Sequence, residues 1–508
     1  MLEINGKDLT VSDVIAVARK GQNVSLDSEA RRRVLQVHGW VKKIVESNQP
    51  VYGINTGFGA LSDKQISKEE IKKLNRNLII SHAMGVGEYL PGEVVRAAML
   101  IRANTLAKGH SGVRPQVIEK LLALLNNDIT PLIPSQGSLG SSGDLAQLCH
   151  LALVFTAGDE DEPIQEVWVE HDGQRMTNVE ALRMAGIEPI QLVAKEGLAI
   201  SNGATFSAAL SCLAVHDAFV LLKSANLALA MTLEALMGSS ASFDLRIQQL
   251  RTHPGQQWVA QEIERLTKGS TLLDNSAHVQ DAYSLRCAPQ IHGAVYDSYV
   301  HIKNVVASEI NAATDNPLLF SPGVALSGGN FHGEPLGFVM DYLAISFAEI
   351  ASVSERRTFR LMNDKLNDGL PSMLADTDES AGLNSGLMMA QYTAASLVLE
   401  NRTLANSDSV HSLTTSADQE DHNANSMTAA RHAYQLLSNV RRVLAIELYS
   451  AAQALDLRLR ARPDVKPGKL VAKAHQQIRD VAPYSPKDIQ WRNEIEKVHQ
   501  LLRQELLV

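Results

Sequence analysis

GSLGSSGDLAQ, residues 137–147, places three glycines and three serines in seven positions directly ahead of an apolar run. A Gly/Ser cluster is by default a flexible loop. This one is flanked by PLIP (131–134) and LAQLCHLALVF (145–155). It therefore belongs in or beside the core, where a loose loop would leave backbone N–H and C=O groups unpaired. The pattern predicts an ordered, buried turn, with Asp144 opening a helix whose N-terminus adds positive potential beside it.

Working outward, the chain has 508 residues, 45% of them hydrophobic and 20% charged, a globular balance with ample material for a large core. The formal net charge is -9 and no block of lysines and arginines stands out, which argues against a nucleic-acid partner and an anionic membrane surface. Cys149, Cys212 and Cys287 are widely spaced and odd in number, as expected of reduced thiols and not of a disulfide frame or zinc site. The N-terminal stretch has early acidic residues and no apolar h-region, so no signal peptide is expected and the reading is a cytoplasmic protein. The greasiest run, AFVLLKSANLALAMTLEALMG (218–238), is interrupted by Lys223 and Glu234 and reads as a buried or interfacial helix, not a membrane span.

Up to about residue 201 the segments are short and punctuated by Gly, Pro and Asn, with amphipathic helices such as GEVVRAAMLIRANTLAKG (92–109) and VRPQVIEKLLALLNN (113–127) between them. IQEVWVEHDGQRM (164–176) alternates and turns at Asp172-Gly173, a hairpin signal, and the acidic DEDEP (159–163) before it reads as a solvated loop. After Asn202 the texture changes. Long stretches from Thr205 to Met237, Phe338 to Asn367 and Ala430 to Arg462 read as helices; one of about 30 residues is about 45 Å long. Their Ala and Leu residues on several faces call for burial on more than one side, in a central bundle or against other subunits. The expectation is a mainly α fold, an elongated bundle of long helices (204–508, also the oligomerisation region) with a smaller N-terminal globular region (1–203) carrying the active-site turn.

Within that turn, Ser141-Ser142-Gly143 holds unusual chemistry. If the Gly143 amide nitrogen attacks the Ser141 carbonyl carbon, a five-membered ring closes; glycine suits the role because no side chain obstructs the approach. Loss of water from the Ser142 side chain then leaves an exocyclic methylidene, an electrophile that no ordinary residue supplies. GSLGSSGDLAQLCH closely resembles the segment that forms this methylidene-imidazolone (MIO) group in the aromatic amino acid ammonia-lyases. YGINTGFG (52–59), EGLAISNG (196–203), QDAYSLRCAPQ (280–290), NAATDNP (311–317), GGNFHG (328–333) and SADQEDHN (416–423) resemble further motifs of that family, in the same order and over nearly the whole chain.

The resemblance implies an all-helical lyase, a homotetramer without external cofactor or metal. Ser81-His82 in NLIISHAMGVG and Glu420 in QEDH are similar to the histidine-specific branch: His82 can exchange hydrogen bonds with an imidazole, and a carboxylate suits a substrate ring with N–H donors. The implied reaction is elimination of ammonia from L-histidine to trans-urocanate, the first step of histidine degradation. The amine is a poor leaving group until joined to the electrophile. Tyr52 is the implied base for the β proton; free tyrosine titrates near about 10, so the site must favour the phenolate or shift its proton elsewhere. Gln280, Tyr283 and Arg286, spaced i, i+3 and i+6, suit one helical face limited by Pro289, and Arg286 can fork a substrate carboxylate. By resemblance, Tyr283 is a second active-site tyrosine, Asn202 the amide at the MIO carbonyl and Phe331 a pocket wall. Asp418, Glu420, Asp421 and His422 match no metal-site spacing and read as a solvated or capping cluster.

Four departures from the family pattern lie near the site. Ser141 stands where alanine is usual, leaving a hydroxymethyl branch on the ring; Gln147 stands where proline is common; Ser201 replaces an aliphatic residue; and DHNANS (421–426) diverges after Glu420. The competing readings are a tyrosine or phenylalanine ammonia-lyase, an MIO aminomutase, a fumarase-type lyase lacking the electrophile, and an inactive helical scaffold.

Overall fold

The computed structural model describes residues 1–47, 50–61, 63–158, 164–377, 380 and 382–507; the acidic run 159–163 lies outside them. Among the described residues there are eighteen α-helices, and no strand exceeds four residues. The mainly α expectation holds, and the long uninterrupted stretches are its cause. They become helices Thr205–Ala235, Glu334–Met362 and Ser426–Ala461, of 31, 29 and 36 residues. Helices Thr205–Ala235 and Glu334–Met362 are long and apolar enough by composition to cross a membrane, yet 83% and 67% of their apolar windows are buried inside the protein.

The chain packs as two compact units, each assembled from separated segments. The first comprises residues 1–216, 303–341 and 407–431. Thus two segments beyond the texture change at residue 204 pack with the N-terminal part; they carry the motifs at 311–317, 328–333 and 416–423. Helix Gly92–Ala107 is buried continuously from Val94 to Ala107, which explains its weak amphipathicity. It packs against helices Val11–Lys20 and Pro115–Asn126. The former starts at a Thr10/Asp13 capping box and stops at Gly21 in the left-handed region; the latter has Pro115 in its first turn.

All strands among the described residues fall in this unit. The expected hairpin forms: Trp168–His171 pairs antiparallel with Gln174–Thr177, turning at Asp172 (φ 49°) and Gly173 (φ 72°), and Ile129–Pro131 adds a third strand. Pairings such as Leu2–Ile4 with Val24–Leu26 and Val86–Tyr89 with Pro134–Gln136 were not expected. Three or four residues are too few to show a period of two.

Buried charge stitches the first unit together. The Lys195 ammonium meets the Asp315 carboxylate at 2.5 Å with both side chains fully buried, and Ser111 Oγ donates to the other Asp315 oxygen at 2.7 Å. Arg102, also fully buried, donates to the Ala199 carbonyl at 3.2 Å and to Thr205 Oγ1. Removing one partner from such a pair costs about 3–5 kcal/mol, because the other charge is stranded.

The second unit comprises residues 217–302, 342–406 and 432–508. Its long-helix core contains the ion pair of Arg357 with Glu447 at 2.5 Å. Thr232 and Ser354 donate hydroxyl hydrogen bonds to the same carboxylate at 3.0 and 2.6 Å. Cys149 and Cys212 are buried thiols and Cys287 is partly buried; all three are free.

Candidate active site

The turn at 137–143 is ordered by glycines in the left-handed region, with Gly140 at φ 69° and Gly143 at φ 75°. Gly143 meets Gly203 in a parallel bridge. Gly203 N donates to the Ser142 carbonyl at 3.2 Å, and Asp144 N donates to the Gly203 carbonyl at 3.0 Å. A Cβ on Gly143 would stand 2.0 Å from the Gly203 carbonyl carbon, so backbone conformation and space both demand glycine. Asn202 Nδ2 donates to the same Ser142 oxygen at 2.7 Å. One carbonyl oxygen thus holds two N–H donors, an arrangement that stabilises negative charge developing there.

Asp144 opens helix Leu145–Leu153 as expected, but its carboxylate does not cap that helix. It accepts instead from Ser138 Oγ at 2.7 Å, Ser207 N at 2.8 Å and Ser207 Oγ at 3.0 Å. Burial pushes its acidity down and these donors oppose the shift. The effect is to tie both sides of the turn to helix Thr205–Ala235.

A cavity of about 450 Å³ opens over the turn, lined by Tyr52, Ser141, Ser142, Asn202, Phe331 and Glu420. Ser142 Oγ donates to Glu420 Oε1 at 2.7 Å. Glu420 is aimed by an antiparallel bridge to Thr415, whose Oγ1 donates to Oε2 at 3.3 Å. Between them Ser416, Ala417 and Asp418 have φ of 52°, 51° and 66°, a left-handed run that costs non-glycine residues about 1–2 kcal/mol each. Of Asp418, Glu420, Asp421 and His422, read together as a solvated or capping cluster, the last three line the cavity wall, with Gln419 beside them. His332 and Asn316 also line it. The His332 and His422 rings stack with centroids 6.0 Å apart. Among the described residues no cluster suits a metal ion.

Of the two expectations for Tyr52, a favoured phenolate or a proton shifted elsewhere, its surroundings do not supply the first. Burial raises its pKa and the Glu420 charge adds to the rise; the backbone at Gly59 works the other way by hydrogen bonding. His82 ends helix Ile71–His82 and is not among the residues lining the cavity. Its Nδ1 lies 2.9 Å from Ser81 Oγ, and burial lowers its pKa, against smaller opposing effects from the Leu78 backbone and Glu420, which favours the neutral imidazole.

Gln280, Tyr283 and Arg286 belong to the second unit and line no part of this cavity. They do not share a helical face: the helix covers only Tyr283–Arg286, and Gln280 precedes it. Pro289 lies in the first turn of a new helix, Ala288–Glu309, where its missing N–H costs nothing. The Arg286 guanidinium sits 4.7 Å from the centroid of the Tyr283 ring.

The polar departures at Ser141 and Ser201 find partners, and Gln147 finds one for its amide nitrogen while its buried Oε1 has none. Ser141 Oγ donates to Asn423 Oδ1, itself in the divergent segment. Gln147 Nε2 donates to the Pro134 carbonyl at 3.3 Å, and Ser201 Oγ to the Gly197 carbonyl at 2.9 Å. The Gly203 N–H was missed from sequence because a backbone donor leaves no side-chain signal. His332 was legible only as the neighbour of Phe331.

Comparison with known proteins adds to this geometry. The family model described as aromatic amino acid lyase matches residues 9–480. The chain is 50% identical over 454 residues to the histidine ammonia-lyase of Symbiobacterium thermophilum, an alignment covering 89% of this chain and 87% of that protein. Its fold is similar to the crystal structure of histidine ammonia-lyase from Trypanosoma cruzi (TM-score 0.90, 38% identity, 100% of this chain and 94% of that one). It is also similar to tyrosine aminomutase from Streptomyces globisporus (TM-score 0.92, 34% identity, 99% and 97%).

The contact between Gly143 and Gly203 predicts that Gly143→Ala displaces the turn and blocks the ring closure that the family resemblance implies. Peptide mass spectrometry of the variant is expected to find residues 137–147 at their unmodified mass; loss of two waters would show that the contact is not required.

Proposed function

The chain belongs to the aromatic amino acid lyase family, and we propose that it eliminates ammonia from L-histidine to leave trans-urocanate, the opening step of histidine degradation. It is a carbon–nitrogen lyase. The observation that carries the reading is the Ser141-Ser142-Gly143 turn, with its Ser142 carbonyl held by Asn202 and Gly203 and its Ser142 hydroxyl by Glu420.

These residues fit the MIO group. Ring closure needs the backbone nitrogen of residue 143 to approach with no Cβ in the way, and only a glycine fits there. The group forms from the chain itself, needs no external cofactor, and supplies an electrophilic methylidene that makes the substrate amine a better leaving group. Asn202 Nδ2 and Gly203 N draw electron density toward the Ser142 oxygen. Tyr52 takes the β proton. Glu420 accepts from the substrate imidazole, and neutral His82 can offer either a donor or an acceptor to the same ring. Phe331 walls the pocket, and the carboxylate grip that the family resemblance assigns to Arg286, with Gln280 and Tyr283, would have to come from another copy of the chain.

Because burial and Glu420 both favour the neutral phenol of Tyr52, its use as a base calls for nearby positive charge, from the substrate ammonium or from Arg286. The chain also has apolar surface to cover. Phe338, Tyr342 and Ile345 stand exposed at helical spacing on Glu334–Met362, as do Met389, Tyr392 and Leu399 on Met388–Leu404. Exposed apolar stripes of this kind mark subunit contacts, and we read the protein as a cytoplasmic homotetramer. Sedimentation should give four copies per particle; a monomer with full activity would refute that assembly.

The likeness to tyrosine aminomutase favours one alternative, a mutase acting on an aromatic amino acid, against which Glu420 and His82 speak. Incubation with L-histidine should release urocanate, followed by its ultraviolet absorbance, and Ser142→Ala should nearly abolish it. A β-amino acid product, or turnover of L-tyrosine alone, would contradict the reading.

The raised Tyr52 also fixes a pH dependence. Since the base is the deprotonated form and its pKa is raised, kcat/KM is expected to climb from neutral pH and to be still rising at about 10. Tyr52→Phe should remove that limb and lower kcat by about 10²–10⁴-fold. A flat profile across that range would assign the proton to another group.

A further inference from the structure

In the described structure the Ser142 hydroxyl has the Glu420 carboxylate as its hydrogen-bond partner, at 2.7 Å. That hydroxyl is the group that must leave if the turn is to mature. Other polar groups around the turn are engaged elsewhere: Asp144 accepts from Ser138 and Ser207, Asn202 Nδ2 serves the Ser142 carbonyl, and Ser141 Oγ donates to Asn423. The 412–426 segment lies along the turn and is tied to it at several points. Asn425 N donates to the Leu139 carbonyl at 2.7 Å, and Asn423 receives the Ser141 hydroxyl. Asn423 N in turn donates to Ser412 Oγ at 2.8 Å. Glu420 is therefore held against Ser142 by the backbone on both sides of it.

We propose that Glu420 is the proton carrier for dehydration of Ser142 during maturation of the turn, a task separate from any contact with substrate. The inference rests on the reading of Ser141-Ser142-Gly143 as an MIO precursor. Closure joins Gly143 N to the Ser141 carbonyl carbon and releases one water. In the second step the Ser142 Cα–H bond breaks and its electron pair becomes the exocyclic double bond, while Cβ–Oγ breaks. Hydroxide is a poor leaving group, so Oγ needs a proton as it departs. The proton released from Cα passes through solvent water in the cavity to the Glu420 carboxylate. The carboxyl then donates it to Oγ, reversing the direction of the present hydrogen bond. One water leaves and Glu420 ends as it began.

The test compares the masses of the 137–147 peptide from full-length wild type, Glu420→Ala, Glu420→Gln and Tyr52→Phe, each first shown to be folded by its helical circular dichroism and thermal transition. Glutamine keeps a hydrogen-bonding group beside Ser142 but cannot relay the proton. Wild type and Tyr52→Phe are expected to have lost two waters, the latter despite its catalytic defect. Both Glu420 variants should retain at least the second water, with maturation slowed about 100-fold or more. Complete loss of two waters in Glu420→Ala at the wild-type rate would overturn the proposal. So would a Tyr52→Phe chain as immature as Glu420→Ala, since the defect would then follow from disturbing the cavity. A wild-type chain that has lost no water would instead fail the functional reading itself.

Discussion

The approach of two bare backbones, Gly143 against Gly203, is the constraint on which the site depends. With a hypothetical Cβ only 2.0 Å from carbonyl carbon, neither segment can retreat without losing the hydrogen bonds that cross between them. The Ser142 carbonyl is thereby fixed on Asn202 and Gly203, and its hydroxyl is left facing the cavity. Much of the first unit's buried polarity reads as the framework for this contact. Arg102 braces Ala199 and Thr205 on either side of Gly203, Asp144 holds Ser207 just beyond, and Lys195 with Asp315 ties the start of the 196–201 helix to the 311–317 motif. Charges this deep contribute little net stability by comparison with apolar packing; their value here is a single geometry.

That geometry also sets the electrostatics. The cavity offers the carboxylates of Glu420 and Asp421 and the imidazoles of His332 and His422, and burial makes Tyr52 harder to ionise. An ammonium-bearing substrate with a ring that donates hydrogen bonds suits such a lining, and its charge would ease Tyr52 toward the phenolate. Arg286, the cation expected at the substrate carboxylate, belongs to the other compact unit and stacks over Tyr283.

Most of the fold was legible because its signals are long. Thirty residues without Gly or Pro leave little alternative to a helix, and Asp172-Gly173 between alternating residues specifies its hairpin. What escaped was short or lacked side chains: three-residue strands with no visible period, and the Gly203 N–H. The expected helical face for Gln280, Tyr283 and Arg286 failed because spacing alone does not say where a helix begins, and Pro289 starts the next helix instead of ending theirs. At the site, Tyr52, Asn202, Phe331 and Glu420, drawn from four separate motifs, line one cavity. His82 lies off the lining, and the departures at Ser141, Gln147 and Ser201 turned out to be internally hydrogen bonded. A hydroxyl's partner 282 residues away cannot be inferred from its neighbours in sequence.

The central claim is that residues 141–143 of the mature protein form a ring. Electron density from a crystal of the purified protein, read at those three residues, tests it most directly. The account predicts a bond from Gly143 N to the former Ser141 carbonyl carbon and a planar carbon in place of the Ser142 hydroxymethyl group. An open Ser-Ser-Gly chain with both hydroxyls intact would contradict it.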